Sequence, residues 1–143
     1  MIKPLRILLV EDDESDVYLI TRAFAKDSNP SSLHVASNGE EALEYLRDGD
    51  YRNAGTIDLI LLDINMHKMN GFEMLEEMRK DSKIRRIPVV MLTSSDRSQD
   101  IEKAFELGAN SYVTKPLDVK KFVTTISKIN GYWGEINQRL QNA

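Results

Sequence analysis

Four apolar runs in this chain each end in a residue able to do chemistry. Leu5-Arg6-Ile7-Leu8-Leu9-Val10 stops at Glu11-Asp12-Asp13, and Ile57-Asp58-Leu59-Ile60-Leu61-Leu62 stops at Asp63. Pro88-Val89-Val90-Met91-Leu92 stops at Thr93, and Ser111-Tyr112-Val113-Thr114 stops at Lys115-Pro116. If these runs are neighbouring parallel strands, their ends meet at one edge of a sheet. Carboxylates packed that closely repel and need a cation or protons between them. Glu11, Asp12 and Asp63 offer the oxygens that Mg2+ prefers, with a backbone carbonyl after Asp63 and waters to complete its shell. Lys115 is a point cation suited to a phosphoryl oxygen, and the Thr93 hydroxyl can donate to another. Asp63 is then a carboxylate nucleophile, able to form an aspartyl-phosphate.

Singly, each residue has a plainer role. An acid after a strand is often a helix N-cap, which is the first reading of Asp13 or Glu14. A Thr ending a strand is a good β-former, and a Lys before Pro is usually surface. Capping does not suit Asp63, because the next helix starts only at Asn70. Four such residues from four strand ends on one edge make the plain readings jointly improbable.

The elements that must position them follow from pattern. Short continuous apolar runs near residues 5–10, 33–36, 57–63, 88–93 and 111–114 read as strands, most of them buried on both faces. Helical spacing appears from Asp16 to Lys26 (Val17, Ile20, Phe24) and from Asn38 to Arg47 (Ala42, Leu43, Leu46). It appears again from Asn70 to Lys80 (Phe72, Met74, Leu75, Met78) and from Ser98 to Leu107 (Ile101, Ala104, Phe105), ending at Gly108. Asp118 opens a last helix with Phe122, Val123, Ile126 and Ile129 on one stripe. This alternation predicts a doubly wound α/β domain with a five-stranded parallel sheet. The order 2-1-3-4-5 puts the first and third strands side by side, with their carboxyl ends at the topological switch point where ligands bind.

Bulk properties narrow the classes. The 143 residues are 41% hydrophobic, enough for one core. A net charge of -4 argues against a nucleic-acid surface, and the one basic cluster, Lys83-Ile84-Arg85-Arg86, reads as a solvated connection. With no cysteine there is no disulfide or thiolate site, which fits an intracellular setting. The N-terminus lacks a signal-peptide pattern, and no apolar run approaches the roughly 20 residues of a membrane span. The expectation is a soluble, cytoplasmic protein.

The ordered set Glu11-Asp12, Leu-Leu-Asp63-Ile-Asn-Met, Leu-Thr93-Ser-Ser and Gly-Ala-Asn-Ser-Tyr112-Val-Thr-Lys115-Pro116 resembles the receiver domain of two-component response regulators, whose usual spacings it matches. The resemblance implies a flavodoxin-like receiver fold over residues 1–130 and a signalling module rather than an enzyme. It implies that Asp63 accepts a phosphoryl group from a phosphohistidine on a sensor histidine kinase. Mg2+ would be held by Glu11, Asp12, Asp63 and the main-chain carbonyl of Asn65. Lys115 would contact the phosphoryl group across a cis bond to Pro116. Thr93 would move toward the modified Asp63, letting Tyr112 turn inward and reshape the face made by the fourth helix, fifth strand and fifth helix. Asn65 and Ser95 occupy positions that tune phosphoryl lifetime in the family. The chain departs from the family pattern at His67, where Pro is usual; an exposed loop residue is the expectation there. His34, in a strand, is expected to be structural.

Residues 131–143 form an extension too short for a folded effector. Tyr132, Trp133, Ile136 and Leu140 make an apolar stripe, interrupted by Gly131 and Gly134. Two readings stay open: a tail folded back on its own domain, or a docking or homodimer face, since Trp and Tyr favour interfaces. With the long stretch Leu46 to Gly55, this tail is similar to those of response regulators paired with phytochromes, which dimerise through their C-terminal region. Three other readings compete. A haloacid-dehalogenase-type hydrolase wants an acid two residues after its nucleophile, where this chain has Asn65. A receiver-like module that is never phosphorylated is the stronger rival. A relay intermediate, passing phosphate to a histidine phosphotransfer domain, would use the same site.

Overall fold

The computed structural model describes residues 3–140. Its core is a parallel five-stranded sheet formed by β1 (Leu5–Val10), β2 (Ser31–Ala36), β3 (Leu59–Leu62), β4 (Val89–Thr93) and β5 (Ser111–Thr114), in the order β2-β1-β3-β4-β5. Five helices alternate with the strands: α1 (Glu14–Lys26), α2 (Gly39–Tyr51), α3 (Gly71–Lys80), α4 (Ser98–Glu106) and α5 (Val119–Gly131). The expected order is the observed one.

Side chains alternate across a strand, so the three central strands supply two cores. Ile7, Leu9, Leu59 and Leu61 face Ile20 and Phe24 of α1 and Phe122, Ile126 and Ile129 of α5. Leu8, Val10, Ile60 and Leu62 face α2, α3 and Ala104 of α4. Not every residue on the expected stripes is covered. Phe105 and Val123 are exposed, one position off the buried lines of α4 and α5.

Helix starts obey capping chemistry. Asp13, Asn38, Asn70 and Asp118 each accept from a backbone N–H in the first turn, and Asn70 with Glu73 completes a capping box. Gly108 ends α4 at φ +100, a conformation in which side chains are strained. The Arg79 guanidinium, at the end of α3, donates to the carbonyls of Arg85, Ile87 and Gly108 and to the Asn110 side chain. It ties the entries of β4 and β5 together.

Two expectations, the start of the third strand and the isomer at Pro116, are not met. β3 begins at Leu59, because the Asp58 side chain turns to bond Arg6. The helical run of α2 is broken at Asp48–Asp50, directly after the expected helix end at Arg47, and Gly49, Asp50 and Tyr51 all take positive φ. Tyr51 Oη and Arg47 Nε both donate to Asp81, pinning that connection to the end of α3. Finally, there is no cis peptide among the described residues, so the Lys115–Pro116 bond is trans. Trans is the intrinsically preferred isomer, and from it the lysine still reaches the acids.

The segment after α5 folds back. A wide turn over Tyr132–Ile136 carries Trp133 against the α1/α5 core, and Arg139 donates to Asp58 Oδ2 and to the carbonyls of Lys3, Pro4 and Gly134. Tyr132, Ile136 and Leu140 stay exposed. Among the described residues no helix is long and apolar enough to cross a membrane.

Candidate functional site

The carboxyl edge of the sheet gathers the acids. Glu11 leaves β1 with its N–H on Ala36 O of β2, and Asp63 leaves β3 with its N–H on Val10 O of β1, so each residue is fixed by the ladder to a neighbouring strand. Carboxylate oxygens of Glu11, Asp12 and Asp63 lie within 4.8 Å of one another. Glu11 and Asp63 are buried, and Asp12 is at the rim.

Lys115, at the end of β5, closes the group. Its Nζ donates to Glu11 Oε1 at 2.5 Å, Asp16 Oδ2 at 2.8 Å and Asp63 Oδ2 at 3.4 Å. Burial alone would lower its pKa, but the bonds to Asp16 and Glu11 and the charges of Asp63 and Glu11 outweigh that and keep the ammonium protonated. Burial pushes the Glu11 carboxyl up to about 7; the Asp63 charge adds to the push and Lys115 opposes it. One ammonium therefore meets three carboxylates, those of Glu11, Asp16 and Asp63, and Asp12 adds a fourth acid beside Glu11 and Asp63. An oxygen-only donor set with surplus negative charge suits a hard divalent cation.

A second feature fits phosphoryl chemistry. Thr93 is fully buried, and its Oγ1 has no hydrogen-bond partner. A hydroxyl left unpaired inside a protein costs about 1–3 kcal/mol, so such a group marks a place where something else completes the bonding. The Thr93 carbonyl accepts from Lys115 N at 2.7 Å, which joins hydroxyl and ammonium through adjacent strands.

Of the other expected residues, Tyr112 is half-buried with its hydroxyl donating to Ser95 O, while Ser95 Oγ bonds Asp100. Pro116 follows Lys115 directly, and Asn65 lies exposed in the loop after Asp63. His67 is more engaged than a free loop residue. Its backbone N–H and ring Nδ1 lie 3.4 and 3.3 Å from Asp12 Oδ2, and its Nε2 is 3.5 Å from the Asn38 side chain. Tyr132, Trp133 and Ile136 lie away from the acids, on the folded-back tail. His34 stacks on Tyr45 with ring centroids 3.7 Å apart.

Sequence reasoning missed two contributors. Asp16 looks in sequence like a helix start and no more, yet its place in the first turn after the Asp13 cap brings its carboxylate to Lys115. Gly71 was passed over. A Cβ there would sit 2.1 Å from the Asp63 carbonyl oxygen, so only glycine lets α3 begin this close to the acid. The signal was its position just after the Asn70 cap.

The model of the response regulator receiver domain family matches residues 7–127. The chain belongs to that family. As a response regulator receiver domain it is a part of two-component signalling. It is 35% identical over 130 residues to the probable methanogenesis regulatory protein FilR2 of Methanothrix harundinacea, covering 91% of this chain and 84% of that one. It is also 35% identical over 133 residues to the response regulator Rcp1 of Synechocystis, covering 92% and 90%. Rcp1 has been solved in a Mn2+-bound form, which superposes with a TM-score of 0.87 at 33% identity, covering 96% of this chain and 100% of that one. The phosphorylated cyanobacterial phytochrome response regulator RcpA superposes with a TM-score of 0.89 at 36% identity, covering 97% and 100%.

Proposed function

We propose that this receiver accepts a phosphoryl group on Asp63 from a sensor histidine kinase, in the cytoplasm, and thereby switches an interaction surface. The observation that carries the reading is the convergence of Glu11, Asp12 and Asp63, with the Lys115 ammonium on Glu11 and Asp63. In the reaction an Asp63 carboxylate oxygen attacks phosphorus, the bond from phosphorus to the histidine nitrogen breaks, and the imidazole leaves with the electron pair. Asp63 is held for this by its main-chain bond to Val10 O and by the Ile64 N–H on Oδ1, which leaves Oδ2 toward Lys115. Lys115 meets charge growing on the transferred oxygens, the main catalytic task in phosphoryl transfer. Glu11, Asp12 and Asp63, with the Asn65 carbonyl, are the residues that would hold Mg2+; when bound, it neutralises the crowded oxygens. That RcpA is a phytochrome response regulator and Rcp1 takes Mn2+ supports a phytochrome-type kinase and a divalent ion here.

The switch follows from the same geometry. A phosphoryl oxygen beside Thr93 Oγ1 supplies the partner that hydroxyl lacks. Its movement frees space for Tyr112, whose bond to the Ser95 carbonyl holds it in place before modification. A local change of charge thereby biases a two-state element. Residues 1–130 make up the receiver and residues 131–143 an extension to it. A second copy would meet the exposed Tyr132 and Ile136, and a sedimentation mass of one chain would rule that dimer out.

Incubation with acetyl phosphate and Mg2+ tests the reading. One acid-labile acyl phosphate is expected on the wild type and none on Asp63→Asn. Equal labelling of the variant would remove Asp63 as acceptor, continuous turnover would indicate a hydrolase, and no labelling of either chain would leave a receiver-like scaffold.

A further inference from the structure

Three features of the sequence play no part in the acidic site: the basic stretch Lys83 to Arg86, the long connection after α2, and the Tyr-Trp tail. The fold brings all three to the walls of one cavity of about 590 Å3. It opens where β3, β4 and β5 begin, the end of the sheet opposite Asp63, and is lined there by Asp58, Pro88 and Asn110. Its volume is that of a small-molecule site, about 300–1,000 Å3.

The walls are chemically divided. Tyr51 and Ile57 from the connection, Ile87 and Pro88 ahead of β4, and Trp133 and Leu140 from the tail supply apolar and aromatic surface. The charge is positive. Asp58 is the one carboxylate of the lining, and Arg6 and Arg139 already satisfy it. Arg139 in turn is held by three backbone carbonyls as well as Asp58. Two cations remain. Lys83 lies 5.0 Å from the Tyr51 ring centroid and 3.6 Å from Asp50, a carboxylate 90% exposed to water. Arg86 has no hydrogen-bond or ion-pair partner among the described residues. An unpaired guanidinium is a planar fork matched to a carboxylate, sulfonate or phosphate.

We infer that this cavity binds a small organic anion with a flat apolar body, its charged group on Arg86 and Lys83 and its body between Tyr51 and Trp133. The body removes apolar area from water against rings that lose little freedom on binding. The anion supplies Arg86 with the partner it lacks. Because the site lies across the sheet from Asp63, the inference stands whether or not Asp63 is the phosphoacceptor.

Trp133 is the only tryptophan of the chain, so its emission reports occupancy directly. The full chain is titrated with anilinonaphthalene sulfonate, an anion with a flat apolar body. A saturable quench of Trp133 with energy transfer to the dye is expected. The uncharged phenylnaphthylamine, and the dye on the Lys83→Glu/Arg86→Glu double variant, should each bind about tenfold or more weakly, the size of one lost charge-assisted hydrogen bond. Both residues are exposed, and Lys83→Gln/Arg86→Gln carries the same test should charge reversal unfold the chain. Dye fluorescence without a change at Trp133 would mean adhesion to exposed apolar residues such as Phe105 and Leu117, and would overturn the inference. Equal binding by the neutral dye or by the double variants would overturn it as well.

Discussion

Replacing Lys115 with methionine probes the charge balance of the acidic site. The substitution keeps much of the side-chain volume and removes the ammonium. The lysine side chain is 7% exposed, and its partners on Glu11 and Asp63 are 1% and 10% exposed. Breaking a buried pair from one side costs about 3–5 kcal/mol, because the remaining charge stays buried without its partner. Glu11 can escape part of this by taking up a proton, so the low end, about 3 kcal/mol, applies at neutral pH. A domain of this size loses about 3 °C of Tm for each kcal/mol, so the variant should melt about 10 °C below the wild type in EDTA. The pH dependence has a defined sign. Glu11 in the fold sits near 7, above the roughly 4.3 of an unfolded glutamate, so its contribution to stability is full at low pH and is lost as pH rises through 7. Without Lys115 its pKa rises further. The gap between variant and wild type should therefore be widest above pH 7 and narrow toward pH 5. Differential scanning fluorimetry across that range is the assay. A variant melting within about 3 °C of wild type at pH 8 would refute the view that the ammonium holds these acids together.

Further outcomes follow from single contacts. Gly71→Ala should lower stability by about 1–3 kcal/mol, because its Cβ would overlap the Asp63 carbonyl; an unchanged urea midpoint would contradict this. Arg139→Ala should release the tail and red-shift Trp133 emission at little cost to the far-UV spectrum. The same latch should fail in acid: burial pushes Asp58 up, but Arg6 and Arg139 more than reverse this, so the stability it lends is complete above about pH 4 and is lost as pH falls below its depressed value. A Trp133 spectrum constant from pH 5 to unfolding would count against it. His67→Ala keeps the backbone N–H on Asp12 but removes the ring Nδ1 contact, and should weaken Mg2+ binding by calorimetry about tenfold, the low end of the usual cost of losing a group that orients a metal ligand.

The strand ends were legible because chemistry and periodicity coincided there. Glu11, Asp63, Thr93 and Lys115 each interrupt an apolar run, and parallel pairing then brings them to one edge. What stayed hidden depended on partners far away in sequence. Nothing in the local pattern around Asp58 marks its bonds to Arg6 and Arg139, and those bonds decide both where β3 begins and that the tail folds back. Asp16 was obscured because a first-turn acid already has a local reason to exist. The helix end at Arg47 was legible, but the positive φ of Asp50 and Tyr51 was not, because Tyr51 is held by Asp81, 30 residues on. The trans bond at Pro116 could not be read from composition, since either isomer occurs at such sites.

The Arg79 clamp has a mechanical consequence. It grips the Gly108 carbonyl just past the C-terminus of α4, while that helix contributes one buried side chain, Ala104, to the core. A helix fastened at one end and lightly seated along its length moves as a lever pivoting on its anchor. Displacement is thus largest at the N-terminal end of α4, where Ser95 bonds Asp100, and falls off toward Gly108.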